Sequence, residues 1–92
     1  MAGPRFIADP PDAVRAVALD GLTALYHRPS GLTHILAPPA PQILDVLAGN
    51  PADAAEIVVR IAAEFELQEA DPAAAIGARL AELEAAGLVR RA

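Results

Sequence analysis

The side chains able to carry chemistry are few and closely spaced: His27, Ser30, Thr33 and His34 fall within eight residues. A metal site would need both histidines on one side of their segment and at least one further ligand. The intervening residues read as two strands over a three-residue loop. In that arrangement Arg28 faces Leu32, Tyr26 faces His34, and His27 points away from His34. A one-residue change of pairing would reverse this. The histidines are therefore assigned structural or surface roles, with His34 beside Tyr26 as a cross-strand pair, and no metal is assigned. Ser30 and Thr33 lack a base and an orienting group, so Ser30-Gly31 is better explained by turn chemistry than by nucleophilic catalysis. The carboxylates of Glu56, Glu64, Glu66, Glu69, Glu82 and Glu84 spread over helical solvent faces and suggest no buried acid–base pair. The sequence thus points to no catalytic residue and no cofactor. Arg79 is a lone cation on a helix rich in alanine, a solvated residue unless a ligand meets it.

These residues sit in a chain of 92 residues, enough for one small domain with one modest core. Hydrophobic residues make up 54%, but much of that is alanine, so the bulk must come from scattered Leu, Ile and Val with one Tyr and two Phe. Seven cationic residues, all arginine, stand against twelve carboxylates, and the net charge of −5 disfavours phosphate backbones as partners. The absence of cysteine removes disulfides, thiolate catalysis and Cys-based metal sites. No apolar run is long enough to span a bilayer, and MAGPRFIADPP lacks an apolar signal core, so a reducing cytoplasm is the expected location.

The elements that must position the site follow in order. Residues 1–11 carry Pro4, Pro10 and Pro11 and read as an extended or disordered arm, which Phe6 and Ile7 could anchor. A single domain is expected over 12–92. Val14, Ala16 and Ala18 alternate with Arg15, Val17 and Leu19 as a first strand at 14–19. Asp20-Gly21 turns it into a second at 22–27. Arg28-Pro29-Ser30-Gly31 suits a type I turn closed by a left-handed glycine, leading to a third strand at 32–36. Ala40, Ile43, Leu44 and Leu47 fall at helical spacing and predict a helix over 39–48, with Pro41 in its first turn and Gly49-Asn50-Pro51 as its stop. Asp53 and Glu56 match a capping box for a helix over 54–66, with Ile57, Val58, Ile61, Ala62 and Phe65 on one face and Glu56, Arg60 and Glu64 on the other. Asp71-Pro72 opens a helix over 72–86, striped by Ile76, Leu80 and Leu83 and ended by Gly87. Leu88-Val89 is expected to fold back on the core, and Arg90-Arg91-Ala92 to fray. The expected fold class is α+β: a three-stranded antiparallel sheet packed on a three-helix, winged-helix-like bundle.

The run LYHRPSGLTHILAPPAPQILDVLAG, with Leu36, Ala40, Ile43-Leu44, the capped segment 53–65 and Leu83-Glu84-Ala85-Ala86-Gly87-Leu88-Val89, resembles the PqqD-like family of peptide chaperones, the RiPP recognition elements. The segment Ser30 to Leu36 is most similar to the subgroup associated with HPr-kinase-related proteins. The likeness spans roughly residues 14 to 90. It implies a bacterial binding module without catalysis, in the biosynthesis of modified peptides. Such a module binds the leader of a ribosomally made precursor peptide as an added strand beside the third strand and presents it to a modifying enzyme, of the radical-SAM or kinase-related kind. Carried over by position, the peptide-binding residues would be Leu32, Thr33, His34 and Ile35 on the strand and Ile76, Arg79, Leu80 and Leu83 on the last helix. Backbone pairing at an open edge with side-chain pockets alongside fits that chemistry.

Two readings from other classes compete. A non-catalytic interaction or dimerisation subunit would use the same strand edge, pairing with its enzyme or with itself as a homodimer. A winged-helix nucleic-acid binder would need several basic or amide side chains on a recognition helix, and the last helix offers Arg79 among Glu82, Glu84 and alanines.

Overall fold

The computed structural model describes residues 3–63 and 70–92. Its elements are β1 (Phe6–Ala8), a 3-10 turn (Pro11–Ala13), β2 (Val14–Leu19), β3 (Leu22–His27), β4 (Leu32–Leu36), α1 (Ala40–Leu47), α2 (Ala54–Ala62), α3 (Pro72–Ala85) and β5 (Val89–Arg91). The chain is an α+β fold. A three-stranded antiparallel sheet of order β2-β3-β4, a small β1-β5 sheet and three helices make it up. The expected helix over 54–66 runs into residues outside those described, where Glu64, Phe65, Glu66 and Glu69 lie.

Local chemistry accounts for several of the boundaries. Asp20 and Gly21 both take positive φ, 46° and 82°, as the tight β2–β3 turn demands. At α2, Asp53 accepts from the Glu56 N–H at 2.9 Å while the Asp53 N–H donates back to Glu56 Oε1 at 3.2 Å, a complete capping box. At the end of α3 the Leu88 N–H donates to Leu83 O and the Gly87 N–H to Glu84 O, with Gly87 at φ 79°, and Leu83 and Leu88 are both buried. The core lies among the helices, with Ile43, Leu47, Ile57, Ile76 and Leu80 wholly buried. The three-stranded sheet gives it only Leu25 and His27 as buried side chains, so that sheet stands out from the body as a wing.

Three sequence expectations are sharpened or corrected. The first concerns the arm, which is extended and anchored by Phe6, one of its expected forms. β1 pairs with β5 on one side, Phe6 with Arg91 and Ala8 with Val89, and bridges residues Ala48 and Ala52 on the other. Phe6 and Ala8 are each 5% exposed, because their side chains are needed to close a core poor in large residues. The second concerns the C-terminus. Arg90 and Arg91 lie in strand β5 instead of fraying. Arg90 pairs with Asp9 at 3.1 Å, and Arg91 with Glu84 at 3.3 Å while its guanidinium lies 5.3 Å from the Phe6 ring centre.

The third concerns the register. His27 faces Leu32, Leu25 faces His34 and Tyr26 faces Thr33, one residue away from the expected pairing. The loop takes four residues because the Gly31 N–H donates to His27 O at 2.8 Å and Ser30 Oγ accepts from the Leu32 N–H at 3.3 Å. The slip puts His27 and His34 on the same face of the sheet and replaces the expected Tyr26–His34 pair by Leu25–His34.

Candidate functional site

The phase of the sheet decides what its edges offer. The Arg28 N–H donates to Ala13 O at 2.9 Å, which makes Ala13 and Arg28 a hydrogen-bonded pair in the β2–β3 ladder. Alternation then points the backbone groups of Leu22, Ala24 and Tyr26 toward β2 and those of Thr23, Leu25 and His27 toward β4. On β4, therefore, Leu32, Leu36 and His34 bond inward, while the N–H and C=O of Thr33 and Ile35 point to the open edge. Among the described residues no strand covers that edge.

Beside this edge lies a groove of about 290 Å³ between the end of β4 and the C-terminal half of α3. Ile35 and Leu36 form one wall, Ala37, Pro38 and Ala40 the end, and Arg79, Glu82, Leu83 and Ala86 the other wall. An open edge and an apolar groove running together can hold an extended peptide, the edge taking its backbone and the groove alternate side chains.

The proposed residues divide sharply. Arg79 and Leu83 come together on the groove, which Ile35 meets at the strand edge while its side chain lies on the outer face of the sheet. Thr33 supplies edge backbone, and its side chain lies on the outer face of the sheet with Tyr26 and Ile35. Leu32 stands 57% exposed at the start of β4. His34 points to the inner face, half-buried, with Nε2 buried and without a hydrogen-bond partner. Ile76 and Leu80 are 0% and 1% exposed and belong to the core, so they cannot wall a groove open to solvent. The stripe on α3 that does face the groove is Arg79, Leu83 and Ala86, at i, i+4 and i+7. That spacing was present in the sequence, but the bulkier stripe of Ile76, Leu80 and Leu83 masked it. Leu36 and Pro38 are the groove residues for which the sequence carried no separate signal.

The groove is not neutral. Arg79 donates to Glu82 Oε1 at 3.0 Å across one turn, with side chains 43% and 64% exposed, while Arg79 Nε is buried without a partner. The guanidinium is thus held at the rim with one donor unused. No group of three or more His, Cys, Asp or Glu able to hold a metal occurs among the described residues. Both ring nitrogens of His27 are engaged, Nε2 with Asp9 Oδ2 and Nδ1 with Ser30 Oγ, each at 2.8 Å. No helix among the described residues is long and apolar enough to cross a membrane.

No protein-family model matches the chain, and no curated protein matches it. Solved structures do. One is TbiB1 in complex with the TbiA(beta) leader peptide, with a TM-score of 0.60, 23% identity, and coverage of 89% of this chain and 94% of that one. Another is lasso peptide synthetase B1 complexed with the leader peptide, with a TM-score of 0.60, 21% identity, and coverage of 92% of this chain and 96% of that one. The likeness runs nearly end to end in both directions, and what it establishes at such identities is architecture: this chain has the fold of the lasso peptide synthetase B1 chains.

Proposed function

We propose that this protein is a RiPP recognition element of the PqqD-like kind, which binds the leader of a ribosomally made precursor peptide as a fourth strand on β4 and presents it to a modifying enzyme. The observation that carries the reading is the open β4 edge, with the outward backbone groups of Thr33 and Ile35, lying directly beside the groove walled by Ile35, Leu83 and Arg79. The similar B1 chains are complexes with leader peptides, which favours the same class of ligand here. Backbone pairing supplies affinity that tolerates sequence, and the groove supplies selectivity. Arg79 would take a carboxylate of the leader, in competition with Glu82.

Presentation needs a second surface, and the outer face of the sheet offers one. Val17, Leu19, Leu22, Tyr26 and Ile35 all lie on it, each more than two-fifths exposed, an apolar patch suited to an enzyme surface. On this reading the protein performs no chemistry itself and works in the cytoplasm, where precursors are made. The enzyme it serves would be of the radical-SAM or kinase-related kind. Nucleic acid is disfavoured as a ligand by the net charge of −5 and by the Arg79–Glu82 pair on α3.

The test uses Ile35→Pro. Because the Ile35 N–H points away from β3, proline there removes a donor to the incoming strand while leaving the β3–β4 ladder bonds in place. The parent should retain a short genome-encoded peptide from a lysate of its source cell, identified by mass spectrometry. The variant should lose it with an unchanged helical circular dichroism signal. Equal retention by both proteins sinks strand addition at β4. Retention of an enzyme without a peptide favours an interaction subunit, and a concentration-dependent dimer lost in the variant favours self-pairing.

A further inference from the structure

The opposite edge of the same sheet holds a larger space. Between the inner face of β2 and β3 and the helix α1 lies a cleft of about 480 Å³, with Ala16 and Ala18 on one side, Leu25 on its floor and Leu44 and Asp45 across from them. Ala16 and Ala18 point inward, yet both remain exposed, because two methyl groups do not reach across to α1. Their backbone groups have no use within the sheet. Ala13, Arg15, Val17 and Leu19 bond to β3, so the N–H and C=O of Ala16 and Ala18 point to open solvent along an edge that no strand covers among the described residues.

The charge around the cleft has one sign. No lysine or arginine lines it, its carboxylates are Asp9 and Asp45, and its one imidazole, His27, is engaged by Asp9. Asp9 is occupied by His27 and Arg90. Asp45 has no ion-pair partner among the described residues and stands exposed at the cleft mouth, where partial burial raises its carboxyl above the ordinary value. It also sits in the last turn of α1, which holds no basic residue, so the negative end of the helix dipole adds to its own field. A cation brought to this point would relieve both.

We propose that the β2 edge and the cleft beneath it form a second strand-docking site, for an extended segment of a partner protein that carries a lysine or arginine two residues from a bulky apolar side chain. Residues two apart share a face of a strand. One would fill the space left by Ala16 and Ala18, and the other would meet Asp45. A second copy of this chain is a poor occupant, since its own β2 would bring only Val14 and two alanines to the cleft and its one cation, Arg15, lies on the outer face. The site is independent of the β4 groove and of the leader reading.

The experiment is a 15N-resolved titration of the full chain with three synthetic ten-residue peptides, capped at both ends. Threonine alternates in each with leucine and a variable residue, which is lysine, glutamine or glutamate. The lysine peptide should shift the amides of Ala16, Ala18 and Leu44 and bind about fivefold to tenfold more tightly than the glutamate peptide, the size expected of a partly exposed charge pair gained against one repelled. Asp45→Asn should erase the preference, and Asp45→Lys, on an exposed position that leaves folding untouched, should invert it. Ala16→Pro should abolish binding, whereas Ile35→Pro should not. Equal affinity for all three peptides, shifts confined to Thr33 and Ile35, or line broadening at Ala16 that depends on protein concentration without peptide would each overturn the proposal.

Discussion

His27, only 5% exposed, ties together parts of the chain that are distant in sequence: Asp9 through Nε2, and the β3–β4 loop through Ser30 Oγ. The hydrogen bond from His27, with Arg90 in support and burial opposing, holds the Asp9 carboxyl below its ordinary value of 3.8. A carboxyl lowered in the folded state stabilises the fold fully above its unfolded pKa, and that contribution is lost as pH falls through the folded value. Asp9→Asn should therefore cost about 1 kcal/mol at neutral pH. The gap between variant and parent should narrow as pH falls below about 4, as seen by urea denaturation at pH 7 and pH 3. An equal loss at both would show that the ion pair is not what the substitution removed. None of this was legible in the sequence, because Asp9 lies 18 positions from His27 and no periodicity links them. The turn role of Ser30 was legible, since serine before glycine satisfies backbone donors locally.

At the scale of elements, the two-fold and 3.6-fold patterns carried the sheet and helices, and capping chemistry placed the starts of α2 and α3. Asp53 is the clearest case. It is 6% exposed and closes both halves of its capping box, so Asp53→Ala should cost about 1 kcal/mol and lower the melting temperature by about 4–8 °C. A calorimetric scan with unchanged low-temperature circular dichroism would check it. Register was where sequence reasoning failed. Turn length depends on which backbone donors the loop satisfies, and Arg28 to Gly31 satisfied enough of them to take four residues. That slip bears on the proposed peptide-binding edge as well as on geometry. It directs the backbone of Ile35 outward and makes Ile35→Pro a test of binding instead of a test of folding. The choice between Ile76 and Leu83 as groove wall likewise depended on where α3 meets β4, which no helical stripe encodes alone.

The molecule as a whole is closed by its shortest strands. β1 and β5 have three residues each, too short to show an alternating pattern, yet Phe6, Ala8, Leu88 and Val89 all enter the core. In a domain of this size, where total stability is about 5–15 kcal/mol, Phe6→Ala should remove about 3–5 kcal/mol and sharply lower the melting temperature. Arg91→Ala, which deletes only the cation over the Phe6 ring and an exposed ion pair, should cost about 1 kcal/mol or less. Thermal melts of the two variants side by side would separate core filling from charge. The pairing of β1 with β5 also gives the fold a mechanical character. Phe6 sits opposite Arg91, and the Ala92 N–H donates to Arg5 O, so the outer ends of both strands lie together at one corner. Tension applied across that corner meets the bonds one after another, like a zip drawn from its open end, and never loads them in parallel. A partner or protease that grips both ends and pulls would peel β1 from β5 bond by bond, but to withdraw Phe6 it must also break the bonds that tie Phe6 to Ala52 and Ala8 to Gly49 on the other side of β1.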